Sequence, residues 1–351
     1  MRAFVYTALP ARVVFGAGAL DKLPEEVERL GAQRALVLST PEQRASAEDV
    51  AQRLGARAAG VYDKAVMHTP IEAAQAARRV AAELKADCCV AVGGGSTTGL
   101  GKAIALTSAL PILAIPTTFA GSEMTPIQGI TEGGVKKTVR DLRMLPKTVI
   151  YDPRLLLTLP ARIAGPSGMN GIAHCVEALY AQEANPVTSL MAEEGIRALA
   201  QSLPQVVRGP RDLEARSEAL YGAWLAGLSL GAVGMALHHK LCHTLGGTFN
   251  LPHAETHTIV LPHAARYNAQ AAPEAMARVA RAMGVPDAPA GLYDLAKAID
   301  APLALKDIGM PADGLDRAAD LAVTNPYWNP RPLDRTAIRD LLQAAWEGRR
   351  P

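Results

Sequence analysis

Four short apolar runs rich in valine and isoleucine, at residues 34–39, 88–92, 112–115 and 148–151, constrain this chain more than any other feature. Runs of this kind read as buried strands. Helix-length segments separate them. Residues 72–84, for example, put Ala73, Ala76, Ala77, Val80 and Leu84 on one helical stripe. Strands alternating with helices imply βαβ units and a parallel sheet. Ligands on such sheets bind beyond the carboxyl ends of the strands.

After Asp152 and Pro153 the texture changes. The strand signal nearly vanishes, and alanine- and leucine-rich helical patterns follow at 172–180, 187–203, 213–227 and 273–283. Breaks fall at Asn185-Pro186, Gly209-Pro210, Leu251-Pro252 and Asn325-Pro326, where proline ends helices. A chain of 351 residues exceeds one hydrophobic core. The expectation is therefore an α/β fold in two parts. Residues 1–155 form a Rossmann-like parallel-sheet nucleotide domain, and residues 156–351 form an all-helical substrate domain.

Charge and cysteine usage narrow the function class. The net charge is +2 with both signs interspersed, so no electrostatic footprint for nucleic acid or an anionic membrane is present. Cys88, Cys89, Cys175 and Cys242 show no CxxC spacing, and nothing suggests a disulfide framework. The first residues lack the pattern of a secretory leader. A cytoplasmic location is the expectation. Residues 219–237 carry no charge and are long enough to span a bilayer. Their glycines at 222, 227, 231 and 234, and the following His238, His239 and Lys240, favour a buried, closely packed helix of a soluble domain.

The second predicted strand runs into Gly93, Gly94, Gly95 and Ser96, and a helix begins soon after. Glycines here let backbone N–H groups approach a phosphate, and a helix N-terminus favours its charge. A Walker A loop is excluded, because Ser96 stands where the first glycine belongs and Ala103 follows the lysine. A GxGxxG reading fails at Thr98. A pyrophosphate site and a plain tight βα turn both remain open, with three consecutive glycines favouring the former. A second polar turn, from Pro116 through Thr117, Thr118 and Ser122 to Glu123, follows the next strand. It suits nucleotide contacts, and alone would also pass as a helix cap.

All the histidines but His68 lie in the helical half. His239 and His243 are four apart on a predicted helix and share a face, as do Asn170 and His174. His253 follows a turn, with His257 and His263 after it. A lone histidine is usually structural, but two same-face pairs plus His253 are harder to dismiss. His174, His239 and His253 offer three imidazoles to a divalent metal. A carboxylate at position 170 would complete such a set. The chain has Asn170 there, a neutral amide that binds divalent cations weakly.

These residues resemble the iron-containing alcohol dehydrogenase family, whose fold is shared with dehydroquinate synthase. The GGGS turn, the Pro116–Glu123 turn, the Asn170/His174 helix and the His239-x3-His243 pair followed by Pro252-His253 come in the family's order, and the resemblance covers almost the whole chain. It implies that Ser39, Thr40, Gly93, Gly94, Gly95, Ser96, Thr117, Thr118 and Ser122 hold NADH or NADPH. It also implies a homodimer. In metal-dependent members, an Asp at position 170 and histidines at 174, 239 and 253 hold iron or zinc. This chain departs there, and again at Gly99, where those members usually carry an Asp.

Both departures, with the wording GGGSTTGLGKAIAL, HAETH and NPYWNPRP, resemble a branch of that family that reduces the conjugated double bond of a small oxo-dicarboxylate, generally without metal. No metal is therefore expected. Hydride delivered to the far alkene carbon gives an enolate whose charge is already delocalised. Hydrogen-bond donors suffice to stabilise it, whereas an isolated ketone gains more from a Lewis acid. His243, His253 and Tyr327 are the candidate catalytic groups. Asn170, His174, His239 and His253 line the former metal position. Lys136, Lys137, Arg140, Arg143 and Arg331 are candidate partners for two carboxylates, and bidentate geometry favours an arginine. The turn after residues 34–39 is uncharged, with Arg44 nearby, so both nicotinamide cofactors are expected. The alternatives are a metal-dependent dehydrogenase of a small alcohol or aldehyde, a carbon–oxygen lyase of the dehydroquinate synthase kind, and a nucleotide-binding regulator without turnover.

Overall fold

The computed structural model describes residues 4–9, 11–67, 69–132, 135–209, 211–324 and 327–351. The chain divides into two compact units. One is Leu9–Leu159, and the other is Pro160–Pro351 together with the N-terminal segment through Ala8.

The first unit is a six-stranded parallel sheet. Its strands are β1 (Arg12–Phe15), β2 (Ala35–Leu38), β3 (Ala58–Tyr62), β4 (Cys88–Gly93), β5 (Ile112–Pro116) and, after the hairpin β6 (Ile127–Glu132) and β7 (Val135–Arg140), β8 (Thr148–Tyr151). The order is β1-β8-β5-β4-β2-β3. Helices α1 (Leu23–Arg29), α2 (Arg44–Leu54), α3 (Ile71–Glu83) and α4 (Gly95–Ser108) fill the connections.

Side-chain alternation along each strand feeds two cores. Val37, Val90, Leu113 and Ile150 pack with Val27, Ala47 and Val50 on one face. Leu36, Leu38 and Cys89 pack with Ala77, Ala81, Leu100 and Ile104 on the other. A sheet covered on both faces explains why these strands read as continuous apolar runs.

Strands β1 and β3 and the β6–β7 hairpin went unread in the sequence. β1 and β3 are the two edges of the sheet, where burial is incomplete and the apolar run is broken.

The second unit is helical: α5 (Ala161–Tyr180), α6 (Pro186–Arg208), α7 (Leu213–Ala232), α8 (Leu237–Phe249), α9 (His253–Asn268), α10 (Pro273–Met283), α11 (Ala288–Ala298), α12 (Gly314–Val323) and α13 (Arg335–Glu347). The sequence reading stopped α6 at residue 203, but the helix runs through Pro204 to Arg208. It also took residues 219–237 as one buried helix. The chain instead breaks after Ala232, and α7 and α8 meet at 96°. Among the described residues no single helix is long and apolar enough to cross a membrane. Small residues do bring these helices together, since a Cβ at Gly222 would lie 2.8 Å from the Leu199 side chain of α6. The break at Asn185-Pro186 is the start of α6, whereas Asn325-Pro326 lies outside the described residues.

Candidate active site

The glycine turn is built by close approach. Gly93 ends β4 with φ +152°, and a Cβ there would lie 2.4 Å from Thr97 Oγ1 and 2.7 Å from Gln43 Oε1. Only glycine meets both demands. Gly94 is the N-cap of α4 and supplies no side-chain acceptor, so the first N–H groups of the helix stay uncapped. Beyond Gly95 there is open space.

Strands β5, β4 and β2 are neighbours, so their carboxyl ends gather three turns at one end of the sheet. Thr117 and Thr118 come from the first, Gly93, Gly94, Gly95 and Ser96 from the second, and Ser39 and Thr40 from the third. Gln43 Nε2 donates to Thr117 Oγ1 at 2.6 Å and ties two of these turns together. The hydroxyls of Ser39 and Thr97 are buried without a hydrogen-bond partner.

Ser122 has a different employment. Its carbonyl and hydroxyl take the buried Lys102 ammonium at 2.7 and 3.2 Å, with Thr125 Oγ1 at 3.0 Å and the Ile127 carbonyl at 2.8 Å. Burial pulls Lys102 down to about 7, with Glu123 opposing. The space beside Gly99 is taken. A Cβ there would lie 2.7 Å from Gln128 Nε2, which donates to Thr69 Oγ1 at 3.0 Å. Arg44, near Thr40, is paired with Asp63 at 2.9 Å and Glu48 at 2.8 Å.

In the helical unit the histidines form a continuous cluster. His174 stacks on His239 with centroids 5.0 Å apart, and His243 stacks on His253 at 6.5 Å. His257, one turn after His253 on α9, joins the two pairs. Its ring lies 4.3 Å from that of His253, 4.9 Å from His239, 4.8 Å from His238 and 6.4 Å from His174. His174, His238, His239 and His257 are buried, while His243 and His253 are half-buried. Burial, reinforced by the neighbouring imidazoles, pushes His174, His238 and His257 well below the ordinary histidine range. They are neutral at physiological pH.

Glu177, one turn after His174 on α5, organises this cluster. Its buried carboxylate accepts from the backbone N–H of Ala236 at 2.9 Å and of His238 at 2.8 Å, at the start of α8. It also takes His239 Nδ1 at 2.7 Å. That contact holds a His239 hydrogen on Nδ1, so that in the neutral ring Nε2 is the acceptor. Nε2 of His239, Nδ1 of His174, Nε2 of His257 and Oδ1 of Asn170 are all buried without a hydrogen-bond partner. Buried polar atoms left unpaired in this way mark a place that water, an ion or a ligand completes.

A close-set trio of metal-ligand types among the described residues is His238, Cys242 and His257. Its geometry is that of a hydrogen bond. His238 Nε2 and His257 Nδ1 are 2.8 Å apart, whereas two nitrogens at ~2.1 Å on one tetrahedral zinc stand about 3.4 Å apart.

Comparison with known proteins settles the family. Residues 10–153 match the iron-containing alcohol dehydrogenase family, and residues 165–346 match the C-terminal region of the Fe-containing alcohol dehydrogenase family. The chain belongs to this family. It is an oxidoreductase. A maleylacetate reductase of Burkholderia cepacia is 62% identical over 351 residues, covering 100% of both chains. A solved structure from Ralstonia eutropha JMP134, described as a putative alcohol dehydrogenase, is 64% identical with a TM-score of 0.99 over 100% of both chains. The crystal structure of maleylacetate reductase from Agrobacterium tumefaciens is 56% identical with a TM-score of 0.96, again over 100% of both chains.

Within the iron-containing alcohol dehydrogenase frame, Asn170 and His174 sit one turn apart on α5, and His239 and His243 one turn apart on α8. His253 opens α9. The Tyr327 hydroxyl is buried without a partner, and burial with the nearby Glu177 raises its pKa far above the ordinary range. Arg331 lies over the Tyr267 ring at 4.1 Å and donates to the Tyr267 carbonyl at 3.3 Å. Arg143 is held by Asp141 at 2.7 Å. The side chains of Lys136 and Lys137 lie outside the described residues.

Glu177, His238 and His257 were missed as site residues. Their signal was present, since Glu177 repeats the helical spacing of Asn170 and His174, and His257 that of His253. A carboxylate and a second histidine on a buried helix face are easily taken for structure.

Proposed function

We propose that the chain reduces the conjugated carbon–carbon double bond of maleylacetate to give 3-oxoadipate, with NADH or NADPH and without a metal, in the breakdown of aromatic compounds. The observation that carries this reading is Asn170. It puts a neutral amide among buried, neutral imidazoles, where metal-holding members of the family place a carboxylate. High identity to maleylacetate reductases over the full length supports it. Asn170 fits a metal poorly, and His257 already links His239 to His253.

The glycine turn suits the cofactor. The bare backbone at Gly93, Gly94 and Gly95, the uncapped α4 N-terminus, and the unpartnered Ser39 and Thr97 hydroxyls answer a diphosphate and its ribose. When bound, NAD(P)H supplies the hydride. The histidine cluster holds the substrate so that the alkene carbon farther from the ketone receives that hydride. The resulting enolate oxygen takes hydrogen bonds from neutral donors, and His243 or His253 delivers a proton to the adjacent carbon. Net addition is one hydride and one proton. Tyr327 is proposed as a further catalytic group and Arg331 as a partner of a substrate carboxylate.

In this reading residues 1–155 carry the cofactor and residues 156–351 the substrate. The family resemblance supports a cytoplasmic homodimer. The deciding experiment is loss of NADH absorbance on adding maleylacetate, with and without EDTA, and chromatographic identification of 3-oxoadipate. Turnover of simple alcohols with added iron or zinc, and none of maleylacetate, would replace this reading with the metal-dependent dehydrogenase.

A further inference from the structure

His257 has no role in the cofactor or metal positions the family suggests, yet it touches four other histidines. Its Nδ1 is 2.8 Å from His238 Nε2, and one of these two nitrogens carries the shared hydrogen. The far nitrogens decide which. His238 Nδ1 is buried without a partner, on a residue of the first turn of α8, the positive end of that helix's dipole. A stranded N–H there is costlier than a stranded lone pair. His238 therefore keeps its hydrogen on Nε2 and donates it to His257 Nδ1. A neutral imidazole carries one hydrogen, so that of His257 sits on Nε2, the nitrogen facing away from His238. This Nε2 is buried without a partner, in a ring whose centroid lies 4.9 Å from that of His239 and 4.3 Å from that of His253. His239 is the opposite case. Its Nδ1 hydrogen goes to Glu177, so in the neutral ring its Nε2 accepts. Of these two nitrogens, the donor is that of His257.

We propose that His257 is a catalytic residue whose Nε2–H donates to an oxygen of the substrate that gains negative charge during reduction, and that His238 is the positioning residue that fixes the required tautomer. The proposal rests on the reading of the chain as a reductase of an unsaturated oxo-dicarboxylate. The oxygen served is that of the conjugated ketone. The donor lowers the barrier to hydride addition at the far alkene carbon, and itself gives up no proton. Removing one preorganised donor to a developing oxyanion typically costs about 10²–10³ in rate.

The test compares His257→Leu, His257→Gln, His257→Asn and His238→Leu with the wild-type enzyme. The readouts are kcat and KM for maleylacetate, NADH binding by fluorescence, and melting temperature. Gln carries an N–H at the place of imidazole Nε2, and Asn only at that of Nδ1. Expected is a loss of kcat of about a hundredfold or more in His257→Leu, with NADH binding unchanged. His257→Gln should stand at least about tenfold above His257→Asn, and His238→Leu should lower kcat with little change in KM. Should His257→Leu fail to fold, the Gln–Asn pair decides. Equal rates for Gln and Asn, or a folded His257→Leu within about threefold of wild type, overturns the proposal. A wild-type enzyme inactive on maleylacetate would instead overturn the substrate reading beneath it.

Discussion

The Glu177 carboxylate receives His239 Nδ1 at 2.7 Å and, with the same two oxygens, holds the first N–H groups of α8. One buried side chain thus caps a helix and sets a tautomer. Glu177→Ala should destabilise the protein by about 3 kcal/mol, the range for stranding buried donors of a charged acceptor, and abolish turnover. Glu177→Gln keeps one acceptor. It should recover much of the stability while kcat stays at least about tenfold down, the low side of what a positioned acid–base group contributes. Urea unfolding and steady-state kinetics on both variants check this. Parallel recovery of the two quantities would make Glu177 a cap and nothing more.

His243 should matter more to turnover than to folding. It is half-buried and stacked on His253. His243→Ala is expected to lose about a hundredfold or more in kcat, with a near-normal melting temperature. A variant that melts early yet turns over normally when folded removes His243 from the chemistry.

Activity should survive chelation. Asn170 leaves the imidazoles without their carboxylate. Enzyme purified without chelator should hold substoichiometric iron and zinc and keep its rate after dialysis against EDTA. Stoichiometric metal, with activity lost on removal and regained on addition, would reverse the assignment.

Gly93→Ala should weaken cofactor binding. Its φ of +152° and the 2.4 Å approach of Thr97 leave no room for a methyl. Strain of this kind costs about 1–3 kcal/mol, and NADH affinity should fall at least about tenfold as the turn shifts. Titration of NADH fluorescence measures it. Unchanged affinity in a folded variant would move the diphosphate elsewhere.

Lys102 predicts a pH slope in stability. Burial sets its folded pKa at about 7, against about 10.4 unfolded. Between these values the unfolded chain holds the proton that the folded chain has released, so stability rises with pH across that window. Below about pH 7 both states are protonated, and the cost of burying the charge is present in full. Urea midpoints at about pH 7 and about pH 9.5 should therefore separate in the wild type, and less so in Lys102→Met. The same separation in both proteins would assign the slope to other groups.

The parallel sheet was legible because both its faces are covered. Runs such as Cys88–Gly93 and Ile112–Pro116 had to be apolar at every position. Its edges β1 and β3 were not, since their exposed residues break the run. The one-turn spacing of Asn170 with His174 and of His239 with His243 found the cluster, because side chains four apart share a helix face, and His253 followed from the break before it. It did not show that α7 turns into α8 at 96°. That bend brings the start of α8 onto Glu177, and only folded chain can reveal it. The tautomer chain through His238 and His257 was equally hidden, because residue type names an imidazole but not which nitrogen carries its hydrogen.

Three separate turns hang from the ends of β2, β4 and β5, and a side-chain hydrogen bond from Gln43 to Thr117 links the first to the third. In the proposed cofactor mode the glycines that would take the diphosphate follow β4, and the residues that would take the ribose follow β2. On that reading, a change of cofactor preference would call for edits to the Ser39–Thr40 turn alone. One nicotinamide cofactor would then be exchanged for the other by altering a few residues of that turn, leaving the sheet, the glycines and the histidines as they are.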